Sequence, residues 1–132
     1  QAADFIMDKP KGFKERIVEG AGNLSGGQKQ RLSIARALVR KPDIYIYDDS
    51  FSALDMKTDA VLRQALKPEV KNAIVIIVAQ RVSTIMDADQ ILVLDEGRLA
   101  ASGRHEELLK TCPLYYEIAA SQLSEEELQN VC

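Results

Sequence analysis

The residues best suited to chemistry form a Ser-Gly-Gly turn, Ser25-Gly26-Gly27, that opens a helical pattern. Ser25 is a good helix N-cap, because its hydroxyl can accept a backbone N–H that the first turn leaves free. The two glycines let the backbone approach a ligand closely, since neither carries a Cβ. The helix after the turn is predicted from apolar residues at helical spacing, namely Leu32, Ala35, Leu38 and Val39. Free N–H groups at the positive end of a helix dipole suit a phosphate, so the turn predicts an anion site.

A pair of carboxylates, Asp48 and Asp49, ends an apolar, β-prone run that begins at Asp43. A run of this kind is typical of a strand buried on both faces of a parallel sheet, and 73–79 is a second one. Open α/β sheets place ligands at the carboxyl ends of such strands. The sequence therefore predicts a mainly parallel sheet with two acidic side chains at its ligand-binding edge.

Local patterns predict the elements around this sheet. Asp55 is a potential N-cap for a helix over 57–66 that Pro68 ends. The stretch 95–97, Asp-Glu-Gly between two apolar runs, predicts a hairpin turn. Further predictions are the end of a helix at 1–9, a loop over 11–22, a helix from Gly103 and another over 113–123.

The composition excludes several classes of protein. With 46% hydrophobic and 28% charged residues and a net charge of −3, the chain lacks the positive balance that nucleic-acid binding usually needs. Cys112 and Cys132 show no metal-binding spacing, which favours reduced thiols. The longest apolar run, 73–79, is too short to span a bilayer. His105, the single histidine, is predicted to be a surface or capping residue without chemistry.

The segment Leu24-Ser25-Gly26-Gly27-Gln28 resembles the signature motif of ATP-binding-cassette (ABC) ATPases, and residues 28–38 continue as that motif usually does. The resemblance implies a P-loop NTPase-like α/β fold with ATP and Mg²⁺ as cofactors. It also implies that these five residues contact the phosphates of ATP. The sequence begins without an initiator methionine, and we expect it to be part of something larger.

Other segments resemble further motifs of the same family. Residues 44–49 resemble a Walker B motif, which implies Asp48 as a Mg²⁺ ligand and Asp49 as the group that polarises the attacking water. Ser52-Ala53-Leu54-Asp55 is similar to the D-loop, which in the family crosses the dimer interface. Gln80 opens a stretch similar to the switch segment and stands where the family usually has histidine. Glu19 lies in a loop similar to the one that contacts the transmembrane domain in exporters.

The catalytic positions depart from the family pattern at two places. Asp49 replaces the usual glutamate, and because its side chain is one methylene shorter, its carboxylate lies further from the water. Gln80 can donate a hydrogen bond to phosphate but cannot act as a charged donor. An intact signature beside altered catalytic positions predicts the degenerate-site subunit of a heterodimeric exporter, in which this signature completes the partner's active site.

The sequence contains no Gly-x4-Gly-Lys-Ser/Thr phosphate-binding loop, so we expect it to cover about the second half of an ATPase domain. Residues 1–40 are then the end of a helical subdomain with the signature, and 41–132 the C-terminal half of the core. The isolated chain is expected neither to bind ATP tightly nor to hydrolyse it.

Two other functions stay open beside the exporter ATPase. One is a non-transport ABC ATPase, such as a ribosome-associated translation factor or a chromosome-structuring or repair protein. The other is a non-hydrolytic regulatory cassette or a folded α/β segment without activity of its own. The exporter interpretation predicts a second nucleotide-binding domain and the protein's own transmembrane domain as partners, no nucleic acid, and a location on the cytoplasmic face of the cell membrane.

Overall fold

The structure is a computed structural model that describes residues 1–129; Cys132 lies outside this range. The chain divides into two compact units, one over residues 1–78 and the other from Ala79 onward. Both units contain helices and strands, and the predicted α/β fold class is confirmed. The boundary predicted between residues 40 and 41 is a different subdivision, and it stays a prediction.

The first unit contains three helices and two strands among its described residues. In chain order they are α1 (Ala3–Met7), α2 (Gly26–Val39), β1 (Ile44–Asp48), α3 (Met56–Glu69) and β2 (Ile74–Val78). The strands pair in parallel, with Ile44 opposite Ile74 and Asp48 opposite Val78. The stretch 11–22, predicted as loop, contains short 3-10 turns at Gly12–Lys14 and Glu19–Ala21.

The burial predicted for both faces of the strands is wrong. Tyr45 and Tyr47 on β1 are buried, whereas Ile44 and Ile46 are 52% and 68% exposed. The inward face packs with side chains from α2 and α3, including Ile34 and residues 62 and 66. No described element of this unit covers the opposite face. The prediction failed because a run of apolar residues does not itself say how many layers pack on a sheet.

Helix α3 begins as predicted and ends later than predicted. The Asp55 carboxylate accepts the N–H of Thr58 at 2.9 Å, which confirms Asp55 as the N-cap. Pro68 lies inside the helix rather than beyond it. Proline in the last turn removes only its own donor, and the helix still closes with a bond from the N–H of Val70 to the carbonyl of Leu66.

The second unit holds an antiparallel hairpin and several short helices. Its described elements are α4 (Val82–Ile85), β3 (Ile91–Asp95), β4 (Arg98–Gly103), α5 (His105–Thr111), α6 (Pro113–Ala120) and α7 (Glu125–Gln129). Strands β3 and β4 pair antiparallel through a turn at Glu96-Gly97, which confirms the predicted hairpin. Both turn residues have positive φ (46° and 76°), as a type I′ turn requires.

The prediction of a surface or capping histidine is wrong. His105 is only 4% exposed, and its Nδ1 lies 2.7 Å from the Tyr115 hydroxyl. The pair adjoins an apolar cluster that includes Leu108 and Cys112, the latter a buried free thiol. The first turn of α5 carries acidic residues, but packing of α5 against α6 turns the histidine inward, which no local pattern indicates.

None of the helices described in residues 1–129 combines the length and the apolar character that crossing a bilayer requires.

Candidate functional site

The Ser-Gly-Gly turn is held by a reciprocal pair of hydrogen bonds. The N–H of Gln28 donates to the Ser25 hydroxyl at 3.2 Å, and the N–H of Ser25 donates to the Gln28 side-chain oxygen at 3.0 Å. This capping box confirms Ser25 as the N-cap of α2. Within residues 1–129 no protein acceptor is recorded for the N–H groups of Gly26 or Gly27. The turn is therefore fixed in shape and keeps donors for an anion.

The two glycines also face the chain's own loop. A Cβ on Gly26 would lie 3.3 Å from the Cβ of Ala53. A Cβ on Gly27 would lie 3.0 Å from the Ala53 carbonyl oxygen and 3.2 Å from a Leu54 methyl. Besides leaving the turn open to a ligand, the missing side chains let the turn pack directly on residues 53 and 54.

The chain before the turn is anchored by Asn23, a residue to which the sequence assigns no role. Its side-chain oxygen accepts the N–H of Val18 at 3.3 Å, and its amide nitrogen donates to the Arg16 carbonyl at 3.0 Å. Leu24 is buried and fixes the other side of the turn. An asparagine that bonds nearby backbone is a recognisable loop feature, so its position before the turn could have indicated this role.

Glu19 lies in an exposed 3-10 turn that is tied to α2. Gly20 and Ala21 of this turn have positive φ values of 70° and 52°. The Lys29 ammonium donates to the Gly20 carbonyl at 3.2 Å. The loop that presents Glu19 is thereby connected to the first turn of the helix that begins at Gly26.

Gln30 connects α2 to the segment after β1, a role that no pattern in the sequence predicts. Its amide nitrogen donates to the Asp49 carbonyl at 3.0 Å and to the Ser52 hydroxyl at 3.1 Å. Its side-chain oxygen accepts the N–H of Ala53 at 3.0 Å. These contacts span 19 to 23 residues of sequence. A glutamine on a helix carries no local sign of such partners.

Asp48 and Asp49 stand exposed where β1 ends. Asp49 has a φ of 48°, which is uncommon for a residue with a side chain, and its N–H donates to the Val78 carbonyl at 3.0 Å. Exposed carboxylate oxygens are the ligands that Mg²⁺ prefers. The residues present at this strand end therefore fit a magnesium ion that is held mainly by a phosphate ligand. No group of three or more potential metal ligands occurs in the described part of the chain.

The loop Ser52–Asp55 is ordered from both ends. The Ser52 hydroxyl donates to the Asp49 carbonyl at 3.0 Å, Leu54 is buried, and Asp55 caps α3. Hydrogen bonds from Thr58 to the carboxylate lower the pKa of Asp55. The loop thus lies between the strand end and the Ser-Gly-Gly turn, in contact with both.

Gln80 belongs to the second unit, where its side chain is exposed. Its main-chain carbonyl accepts the side-chain amide of Gln122 at 2.9 Å. The Gln122 oxygen in turn accepts the N–H of Val82 at 2.9 Å. Gln122, 42 residues away, therefore fixes the backbone at Gln80 and leaves its side chain available.

The chain is similar in sequence to known proteins. Residues 3–52 match the family "ABC transporter". The chain is 50% identical over 121 residues to an uncharacterised ABC transporter ATP-binding protein of Mycobacterium bovis, covering 92% of this chain and 21% of that protein. It is 46% identical over 121 residues to human ATP-binding cassette sub-family B member 5, covering 92% of this chain and 10% of that protein.

A solved structure resembles the chain as well. It is the structure of a bacterial Atm1-family ABC exporter with ATP bound, with a TM-score of 0.87 and 44% sequence identity. The match covers 93% of this chain and 22% of that chain. The chain thus spans about a fifth of the length of the Mycobacterium bovis protein and of the Atm1-family exporter.

Proposed function

We propose that this chain, which is related in sequence and fold to the ATP-binding domains of exporter-type ABC transporters, is part of an ATPase that couples Mg-ATP binding and hydrolysis to transport. The observation that carries the proposal is the capped turn at Ser25, whose glycine N–H groups are left for an anion. That turn lies within residues 3–52, which match the ABC transporter family.

The turn Leu24–Gln28 is the proposed phosphate-binding element of a head-to-tail dimer. In this arrangement it completes a site on a second nucleotide-binding domain, and the partner supplies the other phosphate contacts. Gly26 and Gly27 donate their N–H groups, and the N-terminus of α2 adds its dipole. Ser25 and Gln28 hold the turn in shape. Leu24 anchors it through burial.

The strand end would serve the chain's own nucleotide. Asp48 would hold Mg²⁺, which when bound neutralises charge on the phosphates. Asp49 would accept a hydrogen bond from the attacking water and orient it. Because the Asp49 carboxylate is one methylene shorter than that of a glutamate, the water is placed less well, and a misplacement of ~1 Å can lower a rate about a hundredfold.

Gln80 would contact the terminal phosphate of the same nucleotide through its exposed amide. A neutral amide donates more weakly than a charged histidine, and it cannot transfer a proton. The altered residues Asp49 and Gln80 at this site, beside an intact signature that would complete the other site, are the basis for proposing a heterodimer. The chain alone is proposed to be inactive.

The remaining partners follow from the same proposal. Glu19, on its exposed turn, would contact the transmembrane domain, and Lys29 would connect that turn to α2. Residues Ser52–Asp55 would lie at the interface between the two nucleotide-binding domains. The domain would act on the cytoplasmic face of the membrane, with no nucleic-acid partner.

The sharpest test replaces Ser25 by aspartate in the full-length protein. Aspartate is as good an N-cap as serine, so Ser25→Asp keeps the helix start while it places a negative charge against the phosphate. We expect ATP hydrolysis to fall at least about tenfold with little change in thermal stability. The matched control is Ser33→Asp, on the exposed side of the same helix. Unchanged hydrolysis in Ser25→Asp contradicts the proposed phosphate contact.

A further inference from the structure

We propose that Gln30 is a positioning residue that makes the phosphate-binding turn and the Asp49 backbone move as one piece. The inference rests on the proposed function, in which the turn and Asp49 serve two different nucleotides. Through Gln30, closure of the turn onto the partner's nucleotide would set the position of Asp49 at the chain's own nucleotide.

The bonding pattern of Gln30 uses both ends of its amide. The nitrogen donates to the Asp49 carbonyl and to Ser52, and the oxygen accepts from Ala53. Only a primary amide supplies two donors and an acceptor on a side chain of this length. Glutamate would keep the acceptor and lose both donors. The glutamine is therefore chemically matched to its three partners.

The Asp49 backbone depends on these contacts more than an ordinary strand end would. Its φ of 48° is held by hydrogen bonds on both sides of the residue. The N–H donates to Val78, while the carbonyl accepts from Gln30 and the Ser52 hydroxyl. A left-handed conformation of a non-glycine residue persists only where its surroundings fix it. Loss of the Gln30 amide removes one of those fixed contacts.

The Ser-Gly-Gly turn and the loop at Ala53 are closely packed. The Cα atoms of Gly26 and Gly27 lie so close to Ala53 that an added Cβ would touch it at 3.0 to 3.3 Å. A shift of the helix start toward the loop therefore displaces residue 53 as well. Gln30, one turn further along α2, extends this connection to Asp49.

The test uses the full-length protein with its partner nucleotide-binding domain and measures ATP cleavage at each composite site separately. Gln30→Leu removes all three hydrogen bonds, and Gln30→Glu removes only the two donations. The control is Gln64→Leu, the same change at an exposed position on α3. Hydrogen exchange at the Ala53 N–H reports whether the contact itself is lost.

We expect both Gln30 variants to lower kcat at the site that contains Asp49 by about tenfold or more, with KM changed less than about twofold. Ala53 exchange should accelerate in Gln30→Leu and stay slow in Gln30→Glu. The Gln64→Leu control should match the parent in both measurements.

Three results overturn parts of this account in distinguishable ways. A loss confined to the site that the signature turn completes means that Gln30 supports the turn alone. Identical behaviour of Gln30→Leu and Gln64→Leu removes the positioning role altogether. A parent protein without ATP hydrolysis refutes the proposed function and with it the coupling, whereas Ala53 exchange still decides whether Gln30 holds the loop.

Discussion

Gly27 lies so close to Ala53 that the carbonyl oxygen of Ala53 would be 3.0 Å from a Cβ on residue 27. The turn that is available to an anion on one side is thus packed on its own chain on the other. Because the nearest atom belongs to the backbone of Ala53, a Cβ on residue 27 could be accommodated only if the loop backbone shifts.

Gly27→Ala is therefore expected to destabilise the first unit by about 1–3 kcal/mol, as added methyl groups do in packed sites. The matched control is Gly22→Ala, because a Cβ on Gly22 would meet only a Val18 methyl at 3.9 Å. Chemical denaturation of the full-length protein, read by a probe in this unit, measures both. Equal stability of the two variants would mean that the loop accommodates the methyl group.

The catalytic proposal predicts a gain of function. Asp49→Glu together with Gln80→His, in the full-length heterodimer, should raise turnover at the chain's own site. The longer carboxylate reaches the water, and the imidazole can donate as a charged group. Site-resolved hydrolysis with the partner's site inactivated is the measurement. Unchanged turnover argues against a degenerate site.

The isolated chain is predicted to bind Mg-ATP more weakly than micromolar. Its described residues offer the turn and the strand end, and the proposed dimer assigns these to different nucleotides. Isothermal titration of the chain with ATP and Mg²⁺ tests this directly. Micromolar affinity would refute the prediction.

The pair His105 and Tyr115 predicts an acid-sensitive second unit. Burial lowers the pKa of His105, an effect that Glu106 and Asp87 partly offset. Since the folded pKa lies below the ordinary value of about 6.5, the unfolded state binds the proton first. The contribution of His105 to the free energy of unfolding is therefore fully present above about pH 6.5 and is lost as the pH falls through the folded pKa. Denaturation midpoints across this range should show the decline in the parent and not in His105→Leu.

Tyr115→Phe tests the same pair from the other side. Burial raises the pKa of Tyr115 to about 12, so its hydroxyl stays protonated in the fold at neutral pH. Removing it leaves the buried Nδ1 of His105 without this partner, which is expected to lower stability by about 1–3 kcal/mol. Tyr116→Phe, at an exposed neighbouring position, is the control. Equal denaturation midpoints for the two variants would contradict a structural role for the hydrogen bond.

The sequence by itself determined the features that depend on neighbours a few residues apart. Ser25 and Asp55 cap their helices through bonds to residues three positions later, and Asp95–Arg98 turns as its Glu-Gly pair requires. The α/β class followed from the same local patterns. Such features depend on backbone groups that lie within one turn of the chain, so residue type and spacing are sufficient to predict them.

Only the tertiary structure decided which residues meet across long stretches of chain. Gln30 reaches Asp49 over 19 residues, and Gln122 reaches Gln80 over 42. His105 is buried because α6 packs on α5, and Ile46 is exposed because packing covers only the other face of β1. In each case the contact or the burial depends on how elements pack in space, and the neighbouring residues in sequence do not indicate it.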